Sequence, residues 1–137
     1  MKNLLILLLS FGILIAPSVK AEKVLYCQSE LVTGFIKENG SWSTSNFKPQ
    51  RFTIKFNDDY SELSGLDSDR PYLCDQAYSF APNALACISG YNNGTSFLFN
   101  KAKKRFVWSR ITLYGGYDRN LPNADTDALI AGTCETF

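Results

Sequence analysis

The sequence predicts an all-β protein, an antiparallel up-and-down meander of about eight strands that is closed or nearly closed into a barrel. Two observations lead to this prediction: short segments alternate polar and apolar residues, and turn signals separate them about every ten residues. Closure is favoured because pairing the first strand with the last removes the two exposed edges of a meander. A β-sandwich is the alternative.

The clearest strand is Arg51–Phe56, whose polar and apolar residues alternate without a break. This alternation places three apolar side chains on one face: Phe52, Ile54 and Phe56. Asn39-Gly40 separates strand-like residues 31–37 from residues 41–47 and predicts a tight hairpin, because both turn residues tolerate a positive φ. After the turn at residues 57–59, residues 60–66 predict a further strand.

Asn93-Gly94 predicts a second hairpin, between residues 86–91 and residues 95–100. A third hairpin turns at residues 101–104 and continues over residues 105–114. In its second strand the alternation slips by one residue. A bulge near Ser109-Arg110 would bring four apolar side chains to the same face: Phe106, Trp108, Ile111 and Leu113.

Helix signals are weak, and they predict no more than a short helical turn within residues 75–86, where Pro82 interrupts the apolar pattern. Residues 122–127 have the composition of a loop. Residues 128–137, around Gly132 and Cys134, form the closing segment of the meander.

The N-terminus has the features of a secretory signal peptide. Lys2 precedes the apolar residues 4–15, and the small-residue exit at Val19-Lys20-Ala21 predicts cleavage after Ala21. The domain prediction is therefore a signal peptide at residues 1–21 and one β domain at residues 22–137. We expect a secreted or periplasmic protein.

All four cysteines lie in the predicted mature chain, and an even number of cysteines in a short exported chain predicts two disulfides. We predict Cys27 with Cys134, which would join the first and last strands. Cys74 with Cys87 would then staple two adjacent strands. Four cysteines allow three pairings, and the other two remain open.

Charge and composition exclude several functions. Removal of Lys2 and Lys20 leaves 12 basic against 13 acidic residues, so the mature domain is near −1 and lacks the basic excess that nucleic-acid binding needs. The mature chain contains no apolar run long enough to span a bilayer. It has no histidine, which removes the usual general base and the commonest zinc ligand. We therefore predict no metal, no cofactor and no enzyme activity.

Several clusters have both a functional and a structural interpretation. Aspartates in predicted turns, such as Asp58-Asp59, could support a carboxylate-based hydrolase or bind calcium, but turns favour aspartate for its local hydrogen bonds. Asn39 and Asn93 fit the glycosylation pattern, although plain hairpin turns explain them. The lysine-rich turn at residues 101–104 is typical of a soluble hairpin tip.

The loop Tyr114-Gly115-Gly116-Tyr117-Asp118-Arg119 combines aromatic rings, a cation and adaptable glycines. Tyr and Arg are frequent in interface hot spots. We therefore predict Tyr114, Tyr117 and Arg119 as binding residues, with a long turn after a strand as the alternative interpretation.

The meander pattern is similar to that of calycin-type barrels, the group of lipocalins and avidin-like proteins. Lipocalins carry Gly-x-Trp near the start of the first strand, whereas this chain has Gly34-Phe35 and places Trp42 beyond the turn. The resemblance is one of pattern, and it implies the barrel alone.

These observations predict an exported small β-barrel that binds a protein or glycan partner through its loops, as exported inhibitors of hydrolases do. The alternative is a carrier of a small apolar ligand in the barrel interior. A carboxylate-based hydrolase is the third hypothesis.

Overall fold

The computed structural model describes residues 21–39, 41–91, 94–111 and 127–136, with the backbone alone for Lys37. This part of the chain contains nine strands and no helix, which confirms the all-β prediction. The strands are β1 Lys23–Glu38, β2 Ser41–Asn46, β3 Arg51–Phe56, β4 Glu62–Ser64, β5 Tyr72–Tyr78, β6 Ala81–Ile88, β7 Ser96–Asn100, β8 Arg105–Arg110 and β9 Asp127–Thr136.

Eight of these strands close into an antiparallel barrel. β1 pairs with β3, the strands then follow in sequence order to β9, and β9 pairs back with β1. The closed meander is therefore confirmed. β2 is the additional strand, because it pairs with the second half of β1 and lies outside the closed ring.

The barrel has two ends that differ in their connections. The upper end carries the β1–β2 hairpin and the connections at residues 65–71 and 89–95, and here β8 ends and β9 begins. The lower end carries the short connections at residues 57–61, 79–80 and 101–104. Residues 1–20, which include most of the predicted signal peptide, lie outside the described residues. None of the described segments is a helix of the length and apolarity needed to cross a membrane.

Aromatic rings from several strands fill the barrel interior. Phe97 packs on Phe106 with ring centroids 5.3 Å apart, and Phe56 packs on Phe99 at the same distance. Their inward direction follows from the strand period of two, which alternates buried and exposed residues along β7 and β8. The interior is therefore a packed core that needs no helix to cover it.

Both predicted cysteine pairs lie at disulfide distance. Cys27 of β1 is directly opposite Cys134 of β9, with an S–S distance of 2.05 Å. Cys74 of β5 is directly opposite Cys87 of β6, with an S–S distance of 2.03 Å. The first bridge ties the strands that close the barrel, and the pairs are consistent with an oxidising, extracellular or periplasmic environment.

Close contact between β1 and β9 depends on Gly132. A Cβ atom added there would lie 2.1 Å from the carbonyl oxygen of Gln28, which no side chain can accommodate without a backbone shift. A register shift between Ser29 and Leu31 marks the same region of β1. The paired strands β1 and β9 can therefore lie this close together because residue 132 has no side chain.

Two local predictions were wrong. The helical turn predicted within residues 75–86 is a β-hairpin of β5 and β6, and strand pairing on both sides overrides the weak helix pattern and Pro82. The bulge predicted near Ser109-Arg110 is absent, since both residues pair with β9 in regular register. Ile111 therefore points outward and is 49% exposed.

Candidate functional site

The upper end of the barrel carries a groove on its outer surface. Thr33 and Phe35 of β1 project outward, and Thr44 of β2 lies opposite Phe35. On the other side of β1, Leu129 of β9 lies opposite Thr33 and also opposite Ser109 of β8. Because opposite residues share one face of a sheet, these side chains form one surface. We call it the hairpin groove; its main side chains are those of Phe35, Trp42, Thr44, Ser109, Ile111 and Leu129.

Aromatic and aliphatic side chains dominate the hairpin groove. Phe35 is 53% exposed and Trp42 is 41% exposed, and the groove has a volume of about 750 Å³. Phe35 is exposed because it lies on the outer face of β1. Trp42 is exposed because β2 stands outside the closed ring and lacks the interior neighbours that bury the other strands. A contiguous exposed apolar surface of this kind is typical of an interaction site.

Behind this wall, inside the upper end, lies a small polar network. Arg110 forms an ion pair with Asp67, with Nε and Oδ2 3.1 Å apart, and the Tyr72 hydroxyl donates to Asp67 Oδ1 at 2.8 Å. Burial and the hydrogen bond to Asp67 raise the pKa of Tyr72 far above its usual value. The network joins the connection at residues 65–71 to β5 and β8.

Trp108 packs beside this network. The guanidinium of Arg110 lies over the Trp108 ring, 5.3 Å from its centroid. Within the described residues, the buried indole Nε1 donates no hydrogen bond of normal geometry. Its interaction with the Tyr72 hydroxyl opposes the rise in the pKa of that group. The space beside Trp108, lined also by Val32 and Phe52, has a volume of about 150 Å³. Ligand pockets usually occupy about 300 to 1,000 Å³, so this cavity is small for an organic ligand.

The lower end presents cations around one aromatic ring. The ammonium groups of Lys23 and Lys101 lie 4.1 Å and 5.3 Å from the centroid of Tyr60. Tyr60 has a φ of 63°, which is unusual for a bulky residue, and its ring also packs against Phe56. This arrangement caps the core at the connection at residues 57–61.

Aspartates in the connections between strands make contacts within the fold. Asp59 accepts a hydrogen bond from the Ser61 amide, and Asp67 binds Tyr72 and Arg110. Asp69 accepts a hydrogen bond from the Tyr91 hydroxyl, which lowers the pKa of this carboxyl. In the described ranges, no group of three potential ligands is placed to hold a metal ion.

The predicted binding loop cannot be compared with this geometry. Tyr114, Tyr117 and Arg119 lie outside the described residues. The chain leaves the described part at Ile111 and returns at Asp127, and both of these residues line the hairpin groove. The sequence-based prediction for the three loop residues therefore stays a prediction.

Sequence reasoning missed Phe35 and Trp42. A signal was present, because Ser41-Trp42-Ser43-Thr44-Ser45-Asn46 contains a single large apolar residue in a polar strand. One such residue cannot form a buried face by alternation, and this pattern predicts an exposed ring.

Comparison with known proteins identifies no relative of this chain. No protein-family model, curated protein or solved structure matches this chain.

Proposed function

We propose that this chain is an exported binding protein that recognises a protein partner through the hairpin groove. The observation that carries the proposal is the exposed pair Phe35 and Trp42 in an apolar groove of about 750 Å³. Large aromatic side chains supply much of the binding energy in protein interfaces. Here they stand on paired strands, which hold them in place and reduce the entropy lost on binding.

Hydroxyl groups at the groove add polar contacts to this surface. Thr44 lies directly opposite Phe35, and Ser109 lies directly opposite Leu129. An apolar centre bordered by hydroxyls resembles the centre and rim of a protein interface. The aliphatic side chains of Ile111 and Leu129 favour a protein partner over a glycan, because sugars stack on rings and seldom need aliphatic surface.

The packed interior supports surface binding over an internal ligand. Phe56 and Phe97 are fully buried within the barrel, and the cavity beside Trp108 is about 150 Å³. An interior carrier would need room for its ligand among these rings. A carrier of a small apolar molecule is the second hypothesis. It predicts that extraction of the purified protein with organic solvent releases a bound compound.

Export and the absence of catalysis belong to the same proposal. The sequence pattern at residues 1–21 and the two disulfides support a secreted or periplasmic site of action. Without histidine or a free thiol among the described residues, we expect no reaction with serine-hydrolase or cysteine-hydrolase probes.

The experiment is a capture assay with two matched variants. Wild type, Phe35→Ala/Trp42→Ala and Tyr78→Ala/Phe80→Ala are immobilised and exposed to the exported fraction of the source cells, and bound proteins are quantified by mass spectrometry. Tyr78 and Phe80 form a stacked, exposed aromatic pair at the lower end, 5.2 Å between centroids, and provide the control.

We expect one protein to be enriched by wild type and by the lower-end variant, and lost by about tenfold or more from the hairpin variant. Equal capture by all three proteins would contradict the proposal. If binding survives protease treatment of the extract and disappears after glycan oxidation, the partner is a glycan and not a protein.

A further inference from the structure

The outer side chains of β8, β9 and β1 form rows across the barrel wall. Val107 and Leu31 both lie opposite Ala131, one on each side of it, and they are 38% and 70% exposed. Leu98 of β7 extends the row beyond Val107. A shallow groove of about 360 Å³ runs along this wall. The middle of the outer wall is therefore apolar across four strands.

Above and below Ala131, the outer side chains on the two sides of β9 are chemically complementary. Above it, Leu129 lies between the hydroxyl residues Ser109 and Thr33. Below it, Thr133 lies opposite Arg105 on one side and opposite Gln28 on the other. Its hydroxyl donates to Oε1 of Glu30, which stands at the register shift of β1, at 3.1 Å. Each row thus carries side chains of the same kind, or of opposite charge, on either side of β9.

We propose that this wall binds a second copy of the chain, with a two-fold axis that lies in the plane of contact and makes an angle of about 15° with β9, half the usual crossing angle of packed sheets. Rotation about such an axis exchanges the left and right sides and nearly keeps the height of each row. Val107 then faces the partner's Leu31, and Ser109 faces the partner's Thr33. Arg105 faces the partner's Glu30, and the symmetry forms this charge pair twice.

The charges favour a second copy over an unrelated partner. In the described part of the chain, neither Arg105 nor Glu30 takes part in an intramolecular ion pair. They have opposite signs and approach Thr133 of β9 from its two sides, Arg105 through the strand register and Glu30 through its carboxylate, which is the arrangement that a self-complementary contact requires. A two-fold axis perpendicular to the strands would place Arg105 against the partner's Ser109 and would leave both charges unpaired.

The apolar row supplies the centre of the contact. Sheets pack face to face about 10 Å apart, and their strands cross at about 30°. Side chains near Ala131 are therefore close to the partner, whereas the carboxyls of Asp127 and Glu135, two rows above and two rows below it on β9, diverge from their symmetry mates. The small side chain of Ala131 leaves room for the partner's Leu31 and Val107 to interdigitate.

The test uses two charge-reversal variants, Glu30→Arg and Arg105→Glu, in sedimentation equilibrium from micromolar to sub-millimolar concentration. We expect wild type to be dimeric, and each variant alone to associate at least about tenfold more weakly because like charges then face each other. Mixing the two variants should restore the dimer, since Arg105 of one variant meets Glu30 of the other and the two reversed residues also form an opposite pair.

Two controls separate this result from misfolding and from the proposed function. Lys103→Glu makes the same charge change at the exposed β7–β8 turn and should leave the dimer intact. Trp42→Ala changes the part of the hairpin groove that lies on β2, outside the proposed dimer contact, and should also leave the dimer intact. Because Ser109 and Leu129 belong to both surfaces, partner capture is measured at a protein concentration at which wild type is monomeric. A monomeric wild type, single variants that dimerise like wild type, or a mixture that stays monomeric would each overturn the proposed dimer.

Discussion

The wall formed by β1, β8 and β9 has apolar side chains on both faces, and the two faces differ in burial. On the inner face, Phe106 and Ile130 are buried in the core. Water in place of these side chains would not stabilise the closed barrel. On the outer face, Phe35 and Leu129 are half exposed. The comparison indicates that the inner residues stabilise the barrel and that the outer ones are available for binding.

Among the residues that stabilise the barrel, we expect loss of the disulfides to have the largest effect on the free energy of unfolding. Cys27→Ser/Cys134→Ser removes a bridge between residues 107 positions apart, and the loop-entropy relation predicts a loss of about 4 to 5 kcal/mol in the free energy of unfolding. Cys74→Ser/Cys87→Ser removes a bridge between residues 13 apart and should lose about 3 kcal/mol. Urea denaturation of both double variants checks the order, and a larger loss for the shorter bridge would contradict it.

Adjacent residues of β7 test the two faces directly. Phe97 is fully buried and Leu98 is 43% exposed on the outer face. We expect Phe97→Ala to reduce the free energy of unfolding by about 3 to 5 kcal/mol, because it opens a cavity among packed rings. Leu98→Ala should change it by about 0.5 kcal/mol or less. Similar losses in urea denaturation would show that the outer face also holds the fold.

The polar network at the upper end predicts an alkaline effect. Burial and Asp67 raise the folded pKa of Tyr72, so its contribution is complete below the unfolded pKa of about 10 and is lost as the pH rises toward the folded value. Tyr72→Phe should reduce stability at neutral pH by about 1 kcal/mol, through loss of the hydrogen bond to Asp67. The variant should then lose less stability than wild type between pH 10 and 11. Equal alkaline losses in both proteins would contradict this assignment.

The smallest expected effect belongs to the hairpin groove. Phe35→Ala/Trp42→Ala removes two half-exposed rings from the outer face and should change the free energy of unfolding by less than about 1 kcal/mol. Thermal or urea denaturation provides the measurement. A loss comparable with that of Phe97→Ala would assign these rings to the fold and remove them from the binding hypothesis.

Much of the fold could be predicted from local patterns. The alternation in Arg51–Phe56 predicted β3 at its observed bounds, and the positive φ of Asn39 matches the hairpin predicted there. The segment at residues 75–86 was misread, because its strand character comes from pairing with neighbours and not from its own alternation.

The candidate site was harder to predict than the fold. Phe35 lies in the second half of β1, which pairs with β9 far along the chain, and its outward direction depends on the register shift between Ser29 and Leu31 in that pairing. Ile111 was assigned to the inner face through a bulge that the regular pairing of β8 with β9 excludes. Long-range register decided both positions, and a single sequence does not contain it.

The central claim is that binding occurs at the outer surface of the upper end. Amide hydrogen exchange of the protein, alone and saturated with the purified captured partner, tests it most directly. We predict new protection in β2 and in the adjoining second half of β1, since these strands carry Trp42 and Phe35. Protection confined to the lower-end turns at residues 79–80 and 101–104, with β2 exchanging as fast as in the free protein, would contradict the claim.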